Sequence, residues 1–250
     1  MDAQPYSTPA VPASAQGMTP LVSVIVPVRN GMPFLLEALA SIQAQPAGSL
    51  EILVVDGGST DGSRAAAAAH PAVRLIDQEG RGLAAARNQG LAQARGEVIA
   101  FLDADDRWAA GWLRAALDCL QQDPACAAVL GQMVRFLQPG VELPPGYGSA
   151  WLDRPAPGYT PGALLARRAV FDQVGQFDDM LTVGCDSDWF ARALDAGIAI
   201  NHLPVVMLYK RIHAGNLSAQ VATYRRELLT VARRSLVRRN IIPAGQDAAC

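Results

Sequence analysis

Residues Ala94–Trp108 read ARGEVIAFLDADDRW. The six-residue run Glu97 to Leu102 has the length and apolar content of a buried strand, and it passes directly into Asp103, Asp105 and Asp106. Carboxylates therefore stand where a strand stops. In an open α/β sheet, ligands bind in the crevice beyond the carboxyl ends of the strands, so an acidic cluster there faces the expected site. Like charges this close raise one another's pKa unless a cation or hydrogen-bond donors compensate. A divalent metal is the simplest compensator. Alternate carboxylates with a small residue between, here Asp103-Ala104-Asp105, suit a hard cation such as Mg²⁺ or Mn²⁺, which takes one or two protein oxygens and completes its shell with phosphate and water. The competing explanation is structural: Asp at a strand end also makes Asx-turns, and Asp106 ahead of the run Trp108 to Leu120 has the place of a helix N-cap.

Upstream, strands and helices alternate. The β-branched run Leu21 to Val28 (LVSVIVPV) stops at a turn signature, Arg29-Asn30-Gly31, and Pro33 to Gln45 places Leu35, Leu36, Leu39 and Ile42 at helical spacing. A second strand, Glu51 to Val55, delivers Asp56 into a Gly- and Ser-rich loop. An Ala-rich helix around Ser63 to Ala69, a strand at Val73 to Ile76 and a helix at Gly82 to Ala94 follow. This alternation predicts a mostly parallel, doubly wound sheet flanked by helices. The strand ends at Val28, Val55 and Leu102 then share one edge.

Downstream come a helix over Ala109 to Gln122 and a strand over Cys126 to Leu137. Residues 138–162 hold six of the seventeen prolines, which excludes regular helix or a central strand. Long loops in compact domains are commonly lids, and Tyr147, Trp151 and Tyr159 favour one that packs on something. Between Thr182 and Gly197, Trp189, Phe190, Ala193 and Leu194 share a helical face, with Asp186 and Asp188 ahead of them in capping positions. A strand over Leu203 to Tyr209 leads to Lys210-Arg211-Ile212-His213. Tyr224 to Asn240 reads as an amphipathic helix with Leu228, Leu229, Ala232 and Leu236 on one face and six arginines elsewhere.

The 250 residues suit one domain with appendages: 1–19 as a disordered Pro/Ala/Ser-rich tail, with Met18 an alternative start, 20–218 as the folded unit, and 219–250 as a C-terminal helix and tail. Half the residues are hydrophobic and 18% are charged, so the chain is globular. A net charge of −2 gives no general case for nucleic acid or anionic membranes. The four cysteines lack metal or redox spacing, which makes reduced thiols in the cytoplasm the default. The first residues have neither the basic start nor the apolar centre of a secretory signal, and no run approaches the roughly 18 apolar residues of a membrane span.

Taken together, VSVIVPVRNG, ILVVDGGSTDGS, GLAAARNQGLAQARGEVIAFLDADD, GQFDDM followed by CDSDWFARALDAG, and YKRIHAGNLS resemble, in order, the motifs of glycosyltransferase family 2 over about Leu21 to Ser218. The resemblance implies the GT-A fold and inverting sugar transfer from a nucleotide-diphosphate donor, by default a UDP-hexose, with Mn²⁺ or Mg²⁺. It implies that Pro27, Arg29 and Asn30 border the nucleotide and that Asp56 holds the base or ribose. Arg87 and Asn88 line the donor pocket. Asp103-Ala104-Asp105 lies at the donor diphosphate, with Asp105 the nearer metal ligand and Asp103 supporting it, while His213 closes over the metal or diphosphate. Asp186 matches the general base. Where the family has Glu before that base, this chain has Cys185, and Asp188 is the other candidate.

Elementary chemistry agrees with those roles. Displacing a nucleoside diphosphate builds negative charge that a metal neutralises. A hydroxyl nucleophile needs a base within hydrogen-bond reach, and one displacement with one base inverts the anomeric centre. Two other functions compete. A nucleotidyltransferase needs a Gly-rich basic phosphate loop after its first strand, where this chain has VPVRNGMPF. A non-catalytic sugar-nucleotide-binding protein would lack the acidic constellation. The acceptor is left open among glycan, lipid, peptide and small molecule. The arginine-rich C-terminal helix fits a docking helix with a solvated face or, alternatively, a peripheral contact with an anionic membrane.

Overall fold

The computed structural model describes residues 22–46, 48–144, 148–216 and 220–243. The expected tail at 1–19, the alternative start at Met18, Tyr147 and Cys250 lie outside the described residues.

Strands β1 (Val22–Val28), β2 (Leu50–Asp56), β3 (Val73–Asp77) and β4 (Val98–Phe101) pair in parallel in the order β3-β2-β1-β4. Helices α1 (Phe34–Gln43), α2 (Ser63–Ala69) and α3 (Leu83–Gln93) connect them. Alternation of side chains along β1 separates two cores: Val24 and Val26 pack with Leu35 and Leu39 of α1, whereas Ile25 packs with Leu53, Leu91 and Phe101 on the other face.

Beyond β4 the sheet becomes mixed. Strand β5 (Arg107–Trp108) is followed by α4 (Trp112–Gln122), β6 (Ala128–Leu137) and the edge strand β7 (Pro155–Pro157), which pairs with β6. Strand β8 (Leu164–Arg167) inserts antiparallel between β4 and β6, so β6 does not continue the parallel order. Helices α5 (Arg168–Val174) and α6 (Cys185–Asp195) then lead to β9 (Ile200–Ile212), which runs parallel to β6 and antiparallel to β5. Helix α7 (Val221–Arg238) closes the described chain against α6. The parallel half is the part that the βα alternation foretells. The mixed half depends on β8 returning through the Pro-rich segment, which no local periodicity encodes.

Three local expectations change. Residues 107–108 form a strand and α4 starts only at Trp112, after Gly111 at φ 75°, so Asp106 does not cap that helix. Asp186 and Asp188 lie inside the first turn of α6, whose N-cap is Gly184, and Leu194 is exposed rather than on the buried face. The apolar face expected for the C-terminal helix is turned outward: Leu229 is 74% exposed, and Leu228 and Leu236 are also exposed. Helix α7 docks instead through Glu227 and Val231. Periodicity identifies an apolar stripe without showing whether that stripe or a polar anchor meets the protein.

Helix α3 lies so close to the sheet that a Cβ on Gly90 would overlap Ile25 Cγ2 and come within 3.3 Å of Val55 Cγ2. Gly90→Ala is therefore expected to lower stability by about 1–3 kcal/mol through overpacking, despite the higher helix propensity of Ala. An unchanged urea midpoint would show that α3 can move off the sheet at no cost.

Candidate active site

The carboxyl edge of the parallel strands carries two adjoining features. One is a cavity of about 320 Å³ lined by Arg29, Gly57, Gln78, Gly80, Arg81 and Gly82, at the ends of β1, β2 and β3. Asp56 ends β2 beside it and is buried. Its Oδ2 accepts the Gly58 and Ser59 N–H groups, while its buried Oδ1 has no partner. A buried carboxylate oxygen left unpaired is costly, and a ligand N–H or hydroxyl would satisfy it. The loops after β1 and β2 are laced together beside this cavity. Asn30, at φ 54°, accepts the Thr60 N–H and donates its own backbone N–H to Ser59 Oγ. Pro27 is buried within β1, opposite Val55.

The second feature is the acidic cluster. Oxygens of Asp103, Asp105 and Asp106 lie within 4.8 Å of one another. Strand β5 leaves the cluster and pairs Arg107 with Tyr209 and Trp108 with Leu208, which sets Lys210 and Arg211 beside the aspartates. Asp106 is consumed internally: Oδ1 accepts the Arg211 N–H at 2.8 Å and Oδ2 accepts Lys210 Nζ at 3.2 Å. Burial, with Asp105 and Asp103 adding to it against Lys210, pushes the Asp106 carboxyl up to about 7. Lys210 stays protonated, because Asp106, Asp103 and Asp105 outweigh its burial. Burial alone would raise Asp103 as well, but Arg87 and then Lys210 hold it below the usual carboxylate range.

Arg87 joins the cluster to the other side of the cleft. Its side chain has no exposed surface, and its guanidinium forks between Asp103 Oδ1 at 2.7 Å and Asp186 Oδ1. The ring of Phe177 lies 5.5 Å from the guanidinium carbon. Burial works against the charge on Arg87, but Asp186 and Asp103 more than offset it and raise its pKa. Among the described residues, the hydrogen bonds to Asp186 fall on Oδ1, from Arg87 and, at 3.5 Å, from the Cys185 thiol. Its Oδ2 remains open, and a quarter of the side chain is exposed. Burial, followed by the charge of Asp186, pushes Cys185 up to about 12, so it remains a thiol.

The candidate residues separate by placement. Asp186 adjoins the cluster. Asp188, two residues further and so on a different side of the helix, is 2% exposed and bound to Arg192 at 2.7 Å. Asn88 exchanges hydrogen bonds with the Phe177 backbone in both directions, which braces the loop ahead of α6 rather than lining the cavity. Ala104 is buried, and a Cβ on Gly31 would meet its Cβ at 3.3 Å. His213 Nε2 lies 3.0 Å from Asp105 Oδ2, its ring packs on Phe34, and Asn216 also donates to that oxygen. Sequence reasoning missed Lys210, Arg211, Asn216, Gln78 and Arg81. Lys210, Arg211 and Asn216 do fall within the matched YKRIHAGNLS, which was the available signal, but strand pairing and loop closure are what bring them to the edge; Gln78 and Arg81 lie in no matched motif.

The donor set fits a hard divalent cation. Its ligand atoms are mostly carboxylate oxygens, and among the described residues Asp105 Oδ1 carries no hydrogen bond, whereas Asp106 has both oxygens engaged. Asp105, with Asp103 and His213, would hold the ion.

A parallel half-sheet continued by a mixed half, with an acidic triplet at its carboxyl edge and a facing carboxylate, is the arrangement of the GT-A glycosyltransferase fold. The model of "Glycosyl transferase family 2" matches residues 23–175, and this chain belongs to that family. Glycosyltransferase AglE of Haloferax volcanii is 32% identical over 196 residues, covering 72% of this chain and 64% of the relative. Pre-mycofactocin glycosyltransferase of Mycobacterium tuberculosis is 30% identical over 202 residues, covering 75% and 42%. This chain thus spans less than two thirds of the length of these curated relatives. Among solved structures, TarS 1–349 of S. aureus in complex with UDP-GlcNAc superposes with a TM-score of 0.70 at 22% identity, covering 87% of this chain and 66% of that one. The mannosyltransferase PcManGT of Pyrobaculum calidifontis, in complex with GDP-Man and Mn²⁺, gives 0.65 at 26% identity, covering 87% and 64%.

Removing the forked cation would strand two carboxylates. Arg87→Met is expected to cost about 3 kcal/mol, the low end for a broken buried pair because Asp103 and Asp186 keep some solvent contact. Arg87→Lys is expected to recover less than half of that, since one ammonium cannot fork between two acids. Urea denaturation measures both. A lysine variant as stable as wild type would show that charge alone, without the fork, suffices.

Proposed function

We propose that the chain is a metal-dependent, inverting glycosyltransferase that moves a sugar, by default a hexose from a UDP donor, to a hydroxyl acceptor. The observation that carries this reading is the Arg87 bridge. It holds Asp186 across from Asp103 and Asp105, and among the described residues Asp186 Oδ2 and Asp105 Oδ1 carry no hydrogen bond. A base carboxylate and a diphosphate-binding acid pair then flank one cleft.

In this mechanism the nucleotide base enters the cavity between Arg29 and Arg81, where Asp56 Oδ1 accepts a donor hydrogen from the base or ribose. Asp105, Asp103 and His213 would hold Mn²⁺ or Mg²⁺. When bound, the metal would neutralise the charge that develops on the departing diphosphate. Asp186 Oδ2 accepts the proton of the acceptor hydroxyl as that oxygen attacks the anomeric carbon from the face opposite the diphosphate. Lys210 keeps the acidic cluster compensated and holds Asp106 away from donor chemistry. The ligands in the TarS and PcManGT complexes, UDP-GlcNAc and GDP-Man, are both nucleoside-diphosphate sugars, and the PcManGT complex also holds Mn²⁺, which supports the metal and the donor class. They differ in base and sugar, so the UDP-hexose default rests on the family resemblance. No helix among the described residues is long and apolar enough to cross a membrane. A cytoplasmic setting, with a peripheral contact of the arginine-rich α7 on an anionic bilayer, forms part of the proposal; cosedimentation with anionic vesicles that is salt-sensitive and falls when Arg233, Arg234, Arg238 and Arg239 are replaced tests it, and its absence removes that contact.

The deciding measurement is donor binding and slow donor hydrolysis across a panel of nucleotide sugars, with Mn²⁺, with Mg²⁺ and with EDTA. Wild type should hydrolyse one donor only with metal. Asp105→Ala should weaken binding, and Asp186→Asn, which keeps an acceptor oxygen for Arg87, should bind the donor without turnover. If no nucleotide sugar binds, or if EDTA changes nothing, the metal-diphosphate mechanism falls.

A further inference from the structure

We propose that Glu227 of α7 is a positioning residue for Asp186, clamping the segment Thr182–Gly184 that leads into α6. The inference rests on Asp186 being the base and extends that reading to a residue outside the cleft. Helix α6 has no side-chain cap of its own: Gly184 is the N-cap, and neither Cys185 nor Asp186 reaches back to the free N–H groups. A helix start leaves several donors unpaired. Glu227, from a different helix, accepts instead from the N-cap Gly184 and from Thr182 and Val183 just ahead of it, which fixes how the chain enters α6. Its Oε1 accepts the Thr182 N–H at 3.0 Å, and its Oε2 accepts the N–H groups of Val183 at 2.9 Å and Gly184 at 2.7 Å.

Three further features make the clamp specific. Glu227 is 8% exposed, so its carboxylate is committed to this contact rather than to solvent. Burial alone would raise its pKa, but the N–H groups of Val183, Thr182 and Gly184, with Arg226, bring it below the usual carboxylate range. A Cβ on Gly184 would lie 3.1 Å from Glu227 Cβ and 3.2 Å from Oε2, so glycine there lets the two backbones approach. The negative carboxylate also complements the positive end of the α6 dipole. Asp186 follows Gly184 by two residues, and its Oδ1 meets the fully buried Arg87. A small shift of the segment therefore moves the open Oδ2 relative to the cleft. Ser187 Oγ lies 3.1 Å from Tyr224 OH and Arg234 approaches Asp188 at 3.9 Å, so α7 also touches the first turn of α6, whereas Ser235 and Arg238 on Asp195 tie its far end and do not bear on Asp186.

The test compares Glu227→Gln and Glu227→Asp with Arg238→Ala, using the full chain and the donor that supports wild-type turnover. Gln presents one N–H-bearing group to backbone donors and breaks part of the clamp, whereas Asp keeps the charge on a shorter stem. Glu227→Gln is expected to lower kcat roughly tenfold to a hundredfold, the scale of a misplaced catalytic group, with donor KM within twofold of wild type. Glu227→Asp should recover part of that loss. Arg238→Ala should lower the melting temperature while leaving kcat within twofold. Hydrogen exchange on the same proteins should show faster exchange at 182–188 in Glu227→Gln alone. Unchanged exchange there, or a loss of melting temperature with kcat preserved, overturns the proposal. If exchange rises as expected but wild type turns over no nucleotide sugar, the transferase mechanism fails, and the positioning role with it, while the clamp itself stands as a structural contact.

Discussion

A guanidinium with no exposed surface is expensive to hold away from water unless carboxylates surround it, and Arg87 meets that condition by drawing acids from two distant parts of the chain. Asp103 arrives at the end of β4 and Asp186 in the first turn of α6, and neither has a reason to approach the other without the cation between them. The bridge thus fixes the width of the cleft. Among the described residues its Nε lacks a partner, and Phe177 covers the guanidinium, so the two acids carry the compensation of its charge. Strain in either acid-bearing element would be felt at the other.

Around that bridge the structure sorts acids that look alike in sequence. Asp103, Asp105 and Asp106 are neighbours in the chain, yet Asp106 is buried and spent on Lys210 and Arg211, Asp103 is shared by two cations, and only Asp105 keeps an untied oxygen among the described residues. Asp186 and Asp188 divide in the same way, one facing Arg87 and the other locked on Arg192. Low dielectric makes each of these pairings strong, and the same low dielectric makes an unpaired partner costly. Division of labour among identical side chains follows from which cations the strand register brings alongside.

Helix α7 extends that logic to the outside of the domain. An amphipathic helix ordinarily docks by its leucines, but this one turns Leu229 outward and docks through Val231 and an acid whose partners are backbone N–H groups. Three charge-assisted hydrogen bonds to one carboxylate compensate its burial, which a leucine could not do for the N–H groups of Thr182, Val183 and Gly184 that lead into α6. Docking and the geometry of Asp186 are consequently parts of one contact.

The chain's local chemistry was enough for the parallel half of the fold, because buried strands and returning helices write their periods into consecutive residues; the ends of β1, β2 and β4 and the Asp103-Ala104-Asp105 triplet followed from that pattern, and five ordered motifs pointed to the family. The insertion of β8, the pairing of β5 with β9, and the delivery of Lys210, Arg211 and Glu227 were not legible, since each joins segments far apart in sequence whose residues carry no period or motif linking them. Sequence by itself thus determined which residues could do chemistry at the sheet edge. Only the tertiary structure decided which of the equivalent carboxylates remain available, because availability depends on the cations and N–H groups that long-range pairing places beside each one.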